Sequence, residues 1–114
     1  MLQVEHIDAV NNLDGFLATP GLDCVLIGPA DLSYSLGVPL QSKHPKVQEA
    51  INTTIAKCNA AKIPVGIAIE EPVEGFVAWI KRGISFLLLG ADYDWITQAG
   101  GAILRQMREA TGGR

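Results

Sequence analysis

Apolar runs with no polar alternation recur at residues 24–27, 65–69 and 84–89, and each ends at glycine, proline or a carboxylate. A strand with one wet face alternates apolar and polar residues. A strand apolar at every position is buried on both faces, as in a parallel sheet covered by helices. Between the runs the spacing changes to that of helices. Ile7, Val10, Leu13 and Leu17 form one stripe, closed by Pro20 and Gly21. His44-Pro45 opens a long helix with Val47, Ile51, Ile55 and Cys58 on its inner face, ending before Pro64. Val73, Phe76, Val77 and Ile80 mark a third helix that stops at Gly83, and Ile96, Ile103, Leu104 and Met107 a fourth over 95–110. With a short strand at 2–5, the pattern predicts four parallel strands alternating with four helices through right-handed crossovers. Residues 30–43 read as a polar loop. Four parallel strands form half of a (β/α)8 barrel or a small open sheet, and pattern alone does not separate the two.

Composition narrows the partners. Hydrophobic residues are 48% and charged residues 18% of 114, which describes a well-buried globular chain. A net charge of −3 with no basic block gives no footprint for nucleic acid or an anionic membrane. No apolar run approaches the roughly 20 residues that span a bilayer. No basic stretch followed by an apolar segment opens the chain, so no signal peptide is expected. Cys24 and Cys58 lack any CxxC spacing and read as reduced, structural thiols of a cytoplasmic protein. Leu2-Gln3-Val4-Glu5 directly after Met1 reads as a strand already under way, the expectation for a chain that starts inside a domain.

In parallel α/β folds the chemistry gathers at the C-terminal ends of strands. Three of those four places carry carboxylates there: Glu5; Glu70 and Glu71; Asp92 and Asp94. Asp31 lies just past the fourth. Glu5 is the odd residue in its strand, and Asp31 follows the Gly28-Pro29 turn. Two carboxylates on neighbouring strand tips, completed by water and a bidentate substrate, suit a hard divalent cation. The alternative is that Asp31 caps a short helix and Glu5 pairs with a basic side chain. In the same turn, Gly28 admits a close approach to the backbone and Pro29 fixes the path. The N–H groups of Ala30 and Asp31 could then meet an anion.

Gln3-Val4-Glu5, the string from Ile27 to Gly37 (Ile-Gly-Pro-Ala-Asp-Leu-Ser-Tyr-Ser-Leu-Gly), His44-Pro45-Lys46, Pro64-Val65-Gly66-Ile67 and Leu89-Gly90-Ala91-Asp92 resemble the HpcH/HpaI aldolase family. That family lies within the phosphoenolpyruvate/pyruvate superfamily of (β/α)8 barrels and includes aldolases of 4-hydroxy-2-oxoheptanedioate and 2-keto-3-deoxy sugar acids. The resemblance covers nearly all of the chain. It implies that residues 1–114 are one partial domain, the second half of a TIM barrel. It also implies a class II aldolase that cleaves 4-hydroxy-2-oxo acids to pyruvate and an aldehyde. By the same resemblance Glu5 and Asp31 bind the metal, Mg²⁺ or Mn²⁺ with Co²⁺ a further candidate. Gly28, Pro29, Ala30 and Asp31 hold the pyruvate carboxylate, and Gln3 lies beside the metal.

The family's catalytic His and Arg precede the strand carrying Glu5, so no catalytic residue is assigned here and this chain alone is expected to be a poor aldolase. His6 reads as a mobile residue after the strand, and His44 as a helix cap. Trp79 and Trp95 are expected to pack on helix faces, and Glu70, Glu71, Asp92 and Asp94 to be solvated loop carboxylates. Family members assemble as hexamers in which the last helix exchanges between subunits, so a homo-oligomer is expected. The competing functions are a citrate-lyase-β or malyl-CoA-lyase-like enzyme, and an inactive module that binds a metal or small anion.

Overall fold

The computed structural model describes residues 1–113. Four strands, β1 (Leu2–Val4), β2 (Val25–Ile27), β3 (Val65–Ala68) and β4 (Phe86–Leu88), form one sheet in the order β1-β2-β3-β4, every pair parallel. This is the α/β arrangement the apolar runs predict, and it is what half a (β/α)8 barrel requires. The strands are a residue or more shorter than expected at their ends. The hydrogen-bonded ladder stops where the chain turns toward each helix.

Register divides the sheet into two faces. Val4, Ile27, Ile67 and Leu87 align across the four strands and pack toward the helices. Gln3, Leu26, Gly66 and Phe86 form the adjacent row, whose side chains point the other way because strand residues alternate. Gly66 is required in that row, since a Cβ there would collide with the Phe86 ring. Glu5 and Gly28 continue the same face two residues beyond Gln3 and Leu26, at the C-terminal rim.

The helices depart from expectation in three places. The stripe over 7–18 is two five-residue helices, α1 (Ile7–Asn11) and α2 (Leu13–Leu17). Asn12 breaks it: with φ −99° and ψ 15° it leaves helical geometry, and its side chain donates to Asp8 O at 2.9 Å. Asparagine readily trades helix bonds for such local ones. The stretch from residue 30, expected as a polar loop, begins with a helix, α3 (Pro29–Ser35). Pro29 supplies a preset helical φ at the first position, and Ser33 and Ser35 return their hydroxyls to the carbonyls of Ala30 and Leu32, at 2.5 and 2.8 Å. The last helix, α6 (Asp92–Ala110), starts three residues early because Ala91 N donates to the Asp94 carboxylate at 3.2 Å, half of a capping box.

The core belongs to α4 (Pro45–Ala60) and the sheet. Val47, Ala50, Ile51, Thr54, Ile55 and Cys58 are all buried, a 3-1-3-1-3 spacing that gives one continuous helical face. His44 is the N-cap, as expected, its Nδ1 accepting from Lys46 N at 3.2 Å. By contrast α5 (Val73–Lys81) buries only Trp79, under the Arg82 guanidinium at 3.8 Å from the ring centre. Val73, Val77 and Ile80 are exposed. Trp95 is also exposed, at 61%, against the expectation that it packs on a helix. No residue of α6 is buried.

Candidate metal centre

Glu5 and Asp31 emerge at the same end of the sheet from neighbouring strands. Glu5 directly follows β1, and Asp31 lies in the first turn of α3, which directly follows β2. Gly28 N donates to Val4 O at 3.0 Å, so the ladder extends to the last residue before Glu5. Gly28 itself sits against the acidic side chain. A Cβ built there would be 3.2 Å from Glu5 Cβ, 3.5 Å from Glu5 Oε2 and 3.1 Å from Gln3 Nε2. A side chain at this position would therefore press on both candidate site residues, and glycine leaves a cradle instead.

Gln3 Nε2 donates to Glu5 Oε2 at 2.8 Å, which orients one carboxylate oxygen. Both Glu5 and Asp31 are exposed. Among the described residues neither forms an ion pair with a basic side chain, and α3 has no side-chain cap bond, its N-cap being Gly28. The alternative reading, with Asp31 as a cap and Glu5 neutralised by a basic partner, is thus not the arrangement found. Among the described residues no group of three or more His, Cys, Asp or Glu gathers as a metal cage. Glu5 and Asp31 remain as two exposed carboxylates without a basic partner, a donor set of the kind Mg²⁺ commonly uses when substrate and water supply the rest. These residues fit a hard cation.

The turn expected to meet an anion is formed by the same segment. The first intrahelical bond of α3 runs from Leu32 N to Gly28 O at 3.0 Å, so the N–H groups of Ala30 and Asp31 precede the ladder. Pro29 is buried and holds the turn against the sheet, while Ala30 is exposed on the outer surface of the turn.

Other candidate residues have different duties. His6 is not a loose residue after the strand. It is the N-cap of α1, its Nδ1 accepting from Asp8 N at 3.2 Å. Glu71 is half-buried and lies 3.8 Å from Lys43 Nζ, and Asp94 serves the cap of α6, so neither is simply solvated. Glu70 and Asp92 are exposed as expected, although Gln98 Nε2 reaches Glu70 at 3.4 Å. A cleft of about 530 Å³ lies between the starts of α5 and α6, lined by Glu70, Phe76, Leu89, Asp94, Trp95 and Gln98 among others. Leu89 adjoins the helix-facing row, so this cleft opens outside the face that carries Glu5. Ser35, within the Ile27–Gly37 string, accepts from Ile7 N at 3.1 Å. Nothing in the spacing of Ser35 marks a contact 28 residues away.

No helix among the described residues is long and apolar enough to cross a membrane. Residues 1–98 match the HpcH/HpaI aldolase/citrate lyase family. A 2-keto-3-deoxy-L-rhamnonate aldolase of Klebsiella pneumoniae is 42% identical over 101 residues, covering 87% of this chain and 37% of that protein. An HpcH/HpaI aldolase/citrate lyase family protein from Burkholderia cenocepacia superposes with a TM-score of 0.87 at 31% identity, over 94% of this chain and 42% of its own. The citrate synthase SbnG superposes at 0.86 with 25% identity, over 97% and 45%. The chain therefore spans less than half the length of these relatives. The strand order, the Glu5–Gly28–Asp31 rim and the match over residues 1–98 agree: this chain belongs to the HpcH/HpaI aldolase/citrate lyase family.

Proposed function

We propose that residues 1–114 are the second half of a (β/α)8 barrel and contribute the metal and carboxylate site of a divalent-metal-dependent aldolase. Its substrates are 4-hydroxy-2-oxo acids, cleaved to pyruvate and an aldehyde. The observation that carries this reading is the rim itself. Two exposed carboxylates, neither paired with a basic side chain among the described residues, follow adjacent strands: Glu5 directly after β1, against the Gly28 backbone, and Asp31 in the first turn of the helix after β2. The 42% identity to a 2-keto-3-deoxy-L-rhamnonate aldolase supports a 2-keto-3-deoxy sugar acid as substrate class.

Glu5 and Asp31 would hold Mg²⁺ or Mn²⁺, with Co²⁺ a further candidate. When bound, the cation supplies Lewis-acid stabilisation of the negative charge that develops as the C3–C4 bond breaks. The chain's own contribution is placement. Gln3 holds the Glu5 carboxylate by its 2.8 Å hydrogen bond and so limits its rotation. The N–H groups of Ala30 and Asp31, at the positive end of α3, face the carboxylate of the 2-oxo acid. Pro29 keeps that turn rigid, which lowers the ordering cost of binding. The proton-transferring His and the Arg known in the family belong to the other half of the barrel.

Assembly and location follow the same reading. The exposed Ile96, Ile103, Leu104 and Met107 of α6 support a homo-oligomer built through that helix, in a cytoplasmic enzyme that contacts neither nucleic acid nor membrane. A second reading, cleavage of a CoA thioester as in citrate-lyase-β or malyl-CoA-lyase-like enzymes, draws support from the likeness to a citrate synthase.

Calorimetric titration of Mn²⁺ tests the site. Asp31→Asn keeps the volume and removes the charge, and is expected to weaken Mn²⁺ binding at least tenfold, about 1.4 kcal/mol, with the unfolding midpoint little changed. Equal affinities for the two proteins would remove Asp31 from the site. Pyruvate release from a 4-hydroxy-2-oxo acid, against turnover of an acyl-CoA, separates the two substrate classes once the chain is assayed with a complementary first half.

A further inference from the structure

We infer that Ser35 is a positioning residue for the Glu5–Asp31 pair, an inference that rests on the metal-centre reading above. Glu5 sits in a two-residue segment, Glu5-His6, between the last residue of β1, Val4, and the first of α1, Ile7. Both ends of that segment are tied to the stretch that carries Asp31. At one end Gly28 N donates to Val4 O at 3.0 Å. At the other, Ile7 N donates to Ser35 Oγ at 3.1 Å. Gly28 is the N-cap of α3 and Ser35 its last residue, so Asp31 lies between the two ties as Glu5 does. The two acidic segments and two hydrogen bonds close a ring.

The Ser35 hydroxyl is set for this. Its proton goes to Leu32 O at 2.8 Å, which leaves a lone pair for Ile7 N–H. Ile7 N–H needs that partner. It belongs to the first turn of α1, where an amide has no intrahelical acceptor, and His6 Nδ1 is engaged with Asp8 N. The other serine of the helix does something different. Ser33, fully buried, donates to Ala30 O and accepts from Leu40 N at 2.8 Å, binding α3 to the loop after it rather than to β1. Loss of the Ser35 bond would remove the direct tie between the end of α3 and the start of α1, leaving Gly28 N–Val4 O as the remaining hydrogen bond between the two acidic segments and loosening the setting of Glu5 relative to Asp31. Groups that orient metal ligands through hydrogen bonds typically govern about 10–100-fold of metal affinity.

Four proteins test this: the 114-residue chain, Ser35→Ala, Ser35→Thr and Thr54→Val. Thr54 is the control, a fully buried hydroxyl bonded within α4 to Ala50 O at 2.9 Å and remote from the rim. Mn²⁺ affinity is read by calorimetry, Ile7 amide exchange by NMR and stability by urea. Ser35→Ala is expected to speed Ile7 exchange and weaken Mn²⁺ about tenfold or more. Ser35→Thr, which keeps the hydroxyl, is expected to restore both, and Thr54→Val to lower stability without touching Mn²⁺. Should Ser35→Ala not fold, Ser35→Cys keeps the shape with a weaker acceptor and is expected to move both readouts the same way. Faster Ile7 exchange with unchanged Mn²⁺ affinity would overturn the positioning role and leave the metal centre standing. Equal Mn²⁺ losses in Ser35→Ala and Thr54→Val would overturn it too, as a general effect of destabilisation. Failure of the unmodified chain to bind Mn²⁺ would remove both readings.

Discussion

Helices α4 and α6 have similar lengths, 16 and 19 residues, and both carry apolar residues at helical spacing, yet they meet opposite fates. Six residues of α4 are buried against the sheet. In α6 none is, and Ile96, Ile103 and Met107 are 73%, 59% and 59% exposed. The molecule measures 60 × 29 × 22 Å, long in one direction. The core gathers between α4 and the sheet, joined by Trp79 of α5 and by Ile84, and the candidate metal centre sits where β1 and β2 end. The last helix offers an apolar stripe to some other surface. An amphipathic pattern says that a face wants burial, not which body buries it.

The contrast can be broken most directly in the core. Ile51 is fully buried on α4, and Ile51→Ala is expected to cost about 2–5 kcal/mol in urea unfolding, from lost transfer energy and the cavity left behind. A loss below about 1 kcal/mol, the size usual for surface changes, would mean that α4 is not the keystone of the fold.

A pH series sharpens the same point with a smaller effect. Burial of Cys58 on the inner face of α4 pushes its thiol from 9.0 up to about 11. The folded protein then holds a proton that the unfolded chain releases. Stability from this group is fully present below pH 9 and is lost as pH rises toward 11. The expected slope is at most about 1.4 kcal/mol per pH unit. Cys58→Ala lowers stability below pH 9 but removes that slope, so the gap between the two proteins narrows from pH 9 to 11. A gap that stays constant would show that the thiol ionises equally in both states.

How far the sequence could be read follows the same division. Parallel strands and the buried face of α4 were legible because short uninterrupted apolar runs bounded by turn residues mark strands covered on both faces, and 3-4 spacing marks a helix face that seeks burial. The rim positions of Glu5, Gly28 and Asp31 were legible because the ends of buried strands could be read from where each apolar run stops. Helix α3 was not: seven residues containing Asp, two Ser and a Tyr carry loop composition, and the helix forms through Pro29 and two serine hydroxyls. The break at Asn12 was hidden because an unbroken stripe continues across two short helices. Trp95 misled for a different reason. Its size argues for burial, but position in α6 exposes it, and burial of a helix depends on partners that no local pattern names. The Ser35–Ile7 bond, spanning 28 residues, is a property of the fold and has no local signature.

The smallest effect on folding is expected in α6, and it carries the most information about assembly. Ile103 is 59% exposed, so Ile103→Glu removes little buried surface and should change the urea midpoint by no more than about 0.5 kcal/mol equivalent. Glutamate is a better helix former than isoleucine, so α6 itself should persist. The same substitution puts a charge in the middle of the apolar stripe formed with Ile96, Leu104 and Met107. Burying an unpaired carboxylate against another subunit costs several kcal/mol, enough to dissociate an interface that relies on this stripe. Sedimentation velocity over a concentration series should therefore show the unmodified chain associating and Ile103→Glu staying monomeric, with equal folding stability. Two outcomes would end the contrast between the helices. If Ile103→Glu unfolds the chain as Ile51→Ala does, α6 is part of the core. If both proteins sediment alike as monomers, the α6 stripe is not a contact between copies of this chain.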